Sequence, residues 1–67
     1  MKTGIVKWFN VRRGYGFIEM KEEGEEVFVH YTAINMPGFK VLSEGNSVIF
    51  DLEQSDRGPK AINVIKV

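Results

Sequence analysis

The sequence predicts an all-β protein, five short strands closed into a small antiparallel barrel. Three observations carry this. The apolar residues recur mostly with a period of two, as they do along a half-buried strand. Glycine, proline and asparagine punctuate the chain at short intervals, as turns require. The chain has 67 residues, and no segment carries the 3.6-residue pattern of a long helix. An open sheet of this size would leave its edges and its apolar face uncovered, and closure into a barrel removes both problems.

The elements follow in order. Residues 2–10 (KTGIVKWFN) are rich in β-branched and aromatic types and end at a polar turn. Residues 10–14 (NVRRG) close on glycine and read as a hairpin connection. Residues 15–20 (YGFIEM) form the second strand. An acidic tip with Gly24 leads into the third, residues 26–31 (EVFVHY). Thr32-Ala33-Ile34 makes one helical turn with Thr32 as its N-cap. A long irregular connection, residues 35–46, holds Pro37, Gly38 and Gly45. Residues 47–54 (SVIFDLEQ) place Val48, Phe50 and Leu52 on one face. Residues 55–59 (SDRGP) are turn chemistry. Residues 60–67 (KAINVIKV) form the last strand, with Ile62 and Val64 on one side and Ala61, Asn63 and Ile65 on the other. No repeat, linker or composition break divides the chain, so residues 1–67 are expected to form one domain.

Side-chain alternation then raises a question about function. Successive residues of a strand point to opposite faces. In the second strand Tyr15 and Phe17 share one face, Gly16 and Ile18 the other. In the third, Phe28 and His30 oppose Val27 and Val29. The interior of a five-stranded barrel is narrow, and Ile18, Val27 and Val29 fill it well. The opposite face should meet water and be polar. Here it carries three aromatic rings and an imidazole. The long connection is too short to cover four rings, and it adds a ring of its own, Phe39, beside Lys40. Trp8 and Phe9 have opposite parity, so one enters the core and the other joins the outer face, unless a bulge intervenes. Gly14 and Gly16 are assigned to turn geometry and close strand approach.

Aromatic rings displayed beside cations suit unpaired nucleobases, which are flat and apolar on both faces. Each base–ring stack is worth roughly 1–3 kcal/mol and tolerates any base. Lysine and arginine neutralise the accompanying phosphates. Net charge is zero, which argues against a polycation and for stacking as the main source of affinity. The charges are unevenly spread, however. Residues 1–18 carry four cations and no acid, and residues 19–26 carry five acids and one lysine. The alternative occupant of such a groove is an extended or proline-rich peptide. The interleaving of Lys7, Arg12, Arg13 and Lys40 with the rings favours nucleic acid.

Other chemistries have little support. The chain has no cysteine and one histidine, so neither a disulfide nor a thiolate metal site can form, and no metal or other cofactor is expected. No nucleophile stands in a spacing that would pair with His30, so no enzyme activity and no small-molecule substrate are expected. No apolar run approaches the ~20 residues that span a bilayer. A cytoplasmic monomer away from membranes is the expectation.

The same residues carry a family resemblance. KWFNVRRGYGFI (7–18) and VFVHYTAI (27–34) resemble the two nucleic-acid-binding motifs of bacterial cold-shock proteins. GFK (38–40), L-x-E-G (42–45) and RGPKAxNV (57–64) fit as well, so the resemblance spans essentially the whole chain. It implies an OB-type barrel that binds single-stranded RNA and DNA, pyrimidine-rich strands included. It further implies an RNA chaperone of the cold-shock response that melts weak secondary structure. By position it makes Trp8, Tyr15, Phe17, Phe28, His30, Tyr31 and Phe39 the stacking residues, with Phe9 at the margin. Lys7, Lys40 and Arg57 would meet phosphates or base edges, and Asn10 would make polar contacts near Trp8. The chain departs from the commonest pattern in having Glu26 for aspartate, Tyr31 for phenylalanine, Arg12-Arg13 at the first hairpin, and a longer acidic loop at 21–26.

Overall fold

The computed structural model describes residues 1–38 and 40–67. The expected roles of Phe39 therefore lie outside the described residues. Five strands form a closed barrel: β1 (Lys2–Asn10), β2 (Tyr15–Met20), β3 (Glu26–His30), β4 (Ser47–Ser55) and β5 (Gly58–Lys66). Their order around the barrel is β1-β2-β3-β5-β4. The all-β barrel read from the sequence is the observed fold, with one seam of a different kind. Every neighbouring pair is antiparallel except β3 and β5, which run parallel and share a single register pair, Phe28 with Lys60. A parallel bridge from Ile34 to Val64 extends that seam.

Alternation decides the interior. Val6, Ile18, Met20, Val27, Val29, Val48, Phe50, Ala61 and Val64 are buried there. Ile18, Val27, Val29 and Phe50 expose none of their surface. The helical turn and the long connection both contribute to this core: Ile34 and Leu42 are buried, and Met36 packs against the cluster. Backbone bonds tie the connection down at both ends, from Asn35 N to Val64 O (2.7 Å) and from Gly45 N to Val6 O (2.8 Å). It therefore plugs the barrel and leaves the outer face of β2 and β3 partly open.

Three details differ from the sequence reading, each for a local reason. Leu52 does not continue the buried row of Val48 and Phe50 but is 36% exposed, because β4 runs on past the packed interior into the β4–β5 hairpin. Ile62 and Val64 do not share a face in the way simple alternation requires. The register shifts between Ile49 and Asp51, with two residues of β5 opposite one of β4. Asn63 sits in this bulge at φ 52°, a conformation asparagine tolerates better than most residues. Its Nδ2 donates to Asp51 Oδ2 at 3.1 Å. The helical turn is a 3₁₀ turn over Tyr31–Ala33, and its cap is His30 rather than Thr32.

Exposed ion pairs brace the barrel. Lys2 Nζ meets Glu23 Oε2 at 2.9 Å, and Lys60 Nζ meets Glu53 Oε1 at 3.2 Å. The hydrogen bond from Lys2 holds the Glu23 carboxyl below its usual range. Whatever this tie contributes is present above the ordinary carboxylate pKa and lost as pH falls through the lowered one. Exposed pairs of this kind contribute little.

Candidate nucleic-acid interface

The outer face is assembled by register. β2 and β3 pair so that Tyr15 stands opposite His30 and Phe17 opposite Phe28. All four side chains are half-buried. β1 adds the indole through an irregularity. Val6 pairs with Ile18 and Trp8 with Phe17, so Lys7 is an extra residue on β1. This bulge reverses the alternation. Val6 points into the barrel and Trp8, two positions on, lies on the outer face, 42% exposed. Phe9 takes the inward side and packs against the core. Of the two adjacent rings, Trp8 is therefore displayed, and Phe9 stands behind the display.

The displayed rings form a continuous row. Trp8 lies 5.7 Å from Tyr15 and 5.4 Å from Phe17, centroid to centroid. Phe28 lies 5.8 Å from Tyr15 and 5.9 Å from Phe17. His30 follows at 6.5 Å from Phe28, nearly parallel to it at 28°. Tyr31 ends the row, 4.6 Å from His30 and 46% exposed. Edge-to-face and tilted pairs at these separations are favourable among rings. They fix the row while leaving ring faces open. Among the described residues, no other surface groups aromatic rings in this way.

Glycine makes the close packing of this surface possible. Gly16 pairs with Phe9. A Cβ there would overlap the carbonyl oxygen of Trp8 and stand 2.7 Å from Phe9 Cα. Both obstacles are backbone and cannot rotate away. Gly16→Ala is therefore expected to destabilise the barrel by at least about 1–3 kcal/mol and to displace Trp8, seen as a lower urea midpoint and a shifted Trp8 emission. An unchanged midpoint would refute the close approach of β1 and β2. Gly14 turns the hairpin at φ 78°, and its carbonyl accepts from Tyr31 N at 2.8 Å. Its missing side chain makes room for the Tyr31 ring, which would lie 2.7 Å from a Cβ.

The polar residues expected at the site have defined surroundings. Asn10 Oδ1 accepts from Arg13 N at 2.9 Å and its carbonyl accepts from Gly14 N at 2.7 Å. The Asn10 side chain therefore shapes the hairpin beside Trp8. Lys7 Nζ stands 3.8 Å from Glu19 Oε1. His30 Nδ1 accepts from Thr32 N at 3.3 Å and lies 3.0 Å from Thr32 Oγ1. A backbone N–H can only donate, so the neutral ring carries its proton on Nε2. Arg57 lines a cleft of about 560 Å³ with Phe17, Phe28, Glu26 and Asp56. Lys40 lines two clefts at the other end, one shared with His30 and Phe28 and one with Tyr31, Arg12 and Arg13. Lys60 was missed by the sequence reading. It pairs in register with Phe28 and lines two clefts along the row, a position set by the parallel seam and invisible to local pattern.

Among the described residues no group of three or more His, Asp or Glu side chains is close enough to hold a metal ion. No helix is long and apolar enough to cross a membrane.

A small barrel with a row of open ring faces, flanked by arginine and lysine, defines a class of surface built for flat, partly anionic ligands. Comparison with known proteins agrees. The 'Cold-shock' DNA-binding domain model matches residues 2–67, and the chain belongs to that family. Cold shock protein 1 of Lactiplantibacillus plantarum is 60% identical over 65 residues, covering 97% of both chains. Cold shock protein CspA of Staphylococcus saprophyticus is 55% identical over 67 residues, covering all of both. CspA of Staphylococcus aureus is 54% identical over the same span. Among solved structures, drosophila Unr CSD456 superposes with a TM-score of 0.81 at 20% identity. That match covers 98% of this chain and 26% of the larger one, and it supports the fold.

Proposed function

We propose that this nucleic-acid-binding cold-shock protein takes single-stranded RNA and DNA with little sequence preference by stacking bases along the row from Trp8 to Tyr31. The observation that carries this reading is the unbroken series of ring contacts on a face that simple alternation would make polar. Duplexes hide their base faces and gain nothing from such a row. Lys7, Lys40 and Arg57 meet phosphates or base edges. Asn10 and Phe9 support Trp8 from the hairpin and from behind. Phe39, outside the described residues, is assigned a stacking role on the family resemblance alone. The single domain of residues 1–67 acts as a cytoplasmic monomer without catalytic activity. It serves as an RNA chaperone in the cold-shock response because stacking on the protein competes with weak intramolecular pairing.

Titration with a short pyrimidine oligonucleotide tests the reading through Trp8 fluorescence. Strong quenching by the single strand, and little by the matched duplex, is expected. An unchanged signal, with quenching by an extended proline-rich peptide instead, would move the groove to peptide recognition. Salt provides a second readout. Two of the flanking lysines already face carboxylates, so few phosphates are neutralised. The slope of log K against log salt is expected to be shallower than about −2, at ~0.7 per phosphate on a single strand. A steeper slope would show ion pairing dominating over stacking.

A further inference from the structure

The surroundings of the ring row differ in charge. Beside Phe17 and Phe28, the cleft lined by Arg57 and Lys60 also holds Glu26 and Asp56, so its cations are balanced. At the end of the row, Tyr31 forms one wall of a cleft of about 370 Å³ whose remaining walls include Arg12, Arg13 and Lys40. No acid lines it, and none of the three cations is in an ion pair among the described residues. Arg12 and Arg13 also line a second, polar hollow beside Asn10. The hairpin that presents them is fixed by backbone bonds, Arg13 N to Asn10 Oδ1 and Gly14 N to Asn10 O. Tyr31, the last ring in the row, is tied to the same hairpin through Gly14.

We propose that the Arg12–Arg13–Lys40 cleft is a terminal-phosphate site, which anchors the phosphorylated end of a strand whose bases stack along the row. The proposal rests on the single-strand reading above. A phosphate monoester carries about −1.5 to −2 charges at neutral pH, against one for each internal phosphodiester. Three unpaired cations around one hollow favour the more highly charged group. Arginine's planar fork adds bidentate hydrogen bonding to phosphate oxygens. The cleft also lies beside Tyr31, the last ring of the row among the described residues. The charge balance in the cleft beside Phe17 and Phe28 gives no comparable reward. A strand phosphorylated at one end thus acquires a preferred direction on the protein.

The test compares three oligonucleotides of one sequence and length: 5′-phosphorylated, 3′-phosphorylated and unphosphorylated. Each is titrated against the protein by Trp8 quenching in 50 mM salt. One of the two phosphorylated strands is expected to bind about three- to tenfold more tightly than the other two, in line with modest exposed ion pairing. Arg12→Ser/Arg13→Ser is expected to abolish that difference, so that all three strands bind with one common affinity. Arg12→Lys/Arg13→Lys should retain part of it. Both substitutions are exposed and keep the backbone bonds of the hairpin, and a far-UV spectrum identical to the parent checks the fold. Equal affinity for all three strands, equal gain from either phosphate, or a preference that survives Arg12→Ser/Arg13→Ser each overturns the terminal site. Failure of every strand to quench Trp8 overturns the single-strand reading itself.

Discussion

Phe17→Ala and Phe28→Ala are each expected to weaken single-strand binding by about 1–3 kcal/mol, or roughly 5- to 150-fold in Kd, while the barrel stays folded. The two rings stand directly opposite each other across β2 and β3, 5.9 Å apart, and occupy the middle of the row. Removing either takes away one stacking surface, and removing Phe28 also breaks the line between Trp8 and His30. Their backs rest on the sheet, but their volume lies outside the packed interior. The stability cost is therefore that of a cross-strand pair, about 0.2–1 kcal/mol. Trp8 quenching gives the affinity and urea denaturation the stability, measured on the same samples. Collapse of the fold on Phe17→Ala would mean that the row is a second core and not a ligand surface.

Phe50→Ala is expected to do the opposite and to be the most damaging single truncation in the chain. Phe50 is the largest side chain with no exposed surface. It lies in β4 between the β1 and β5 neighbours and meets Ile18 and Val64 in one cluster. Truncating a buried phenylalanine costs about 3–5 kcal/mol, and a core of this size rarely provides more than ~3–5 kcal/mol in total. The variant should be largely unfolded at 25 °C, with collapsed amide dispersion in its proton spectrum. Saturating oligonucleotide should restore part of the fold, since a ligand at 100 times its Kd adds about 2.7 kcal/mol. A cooperative urea transition at the parental midpoint would contradict this packing.

Much of this was legible because strands obey a two-residue rule and the barrel is narrow. The sequence predicts β2 and β3 with their two faces correctly sorted. Val27 and Val29 point inward, and Phe28 and His30 outward. It also anticipates that Trp8 and Phe9 must separate. What it does not yield is set by geometry at a distance. Which of the two rings turns outward depends on the extra residue at Lys7, and the pairing of Ile62 and Val64 on the bulge at Asn63. Neither bulge leaves a glycine in the sequence to mark it. The part played by Lys60 requires β3 and β5 to meet in parallel, a contact between segments some thirty residues apart. Asn10 and His30 carry polar groups whose partners lie two or three residues downstream. Several equally plausible partners exist at that range, so composition alone does not choose among them.

Lys7 has a further consequence for anyone transplanting or redesigning this surface. The indole is outside because β1 contains one residue more than its partner requires. Pair Lys7 regularly opposite Phe17 and the frame beyond it inverts, so that Trp8 would be directed into an interior too tight for it and Phe9 would be left facing water. A grafted version must therefore copy a miscount in strand length, since an inventory of rings will not reproduce the shelf.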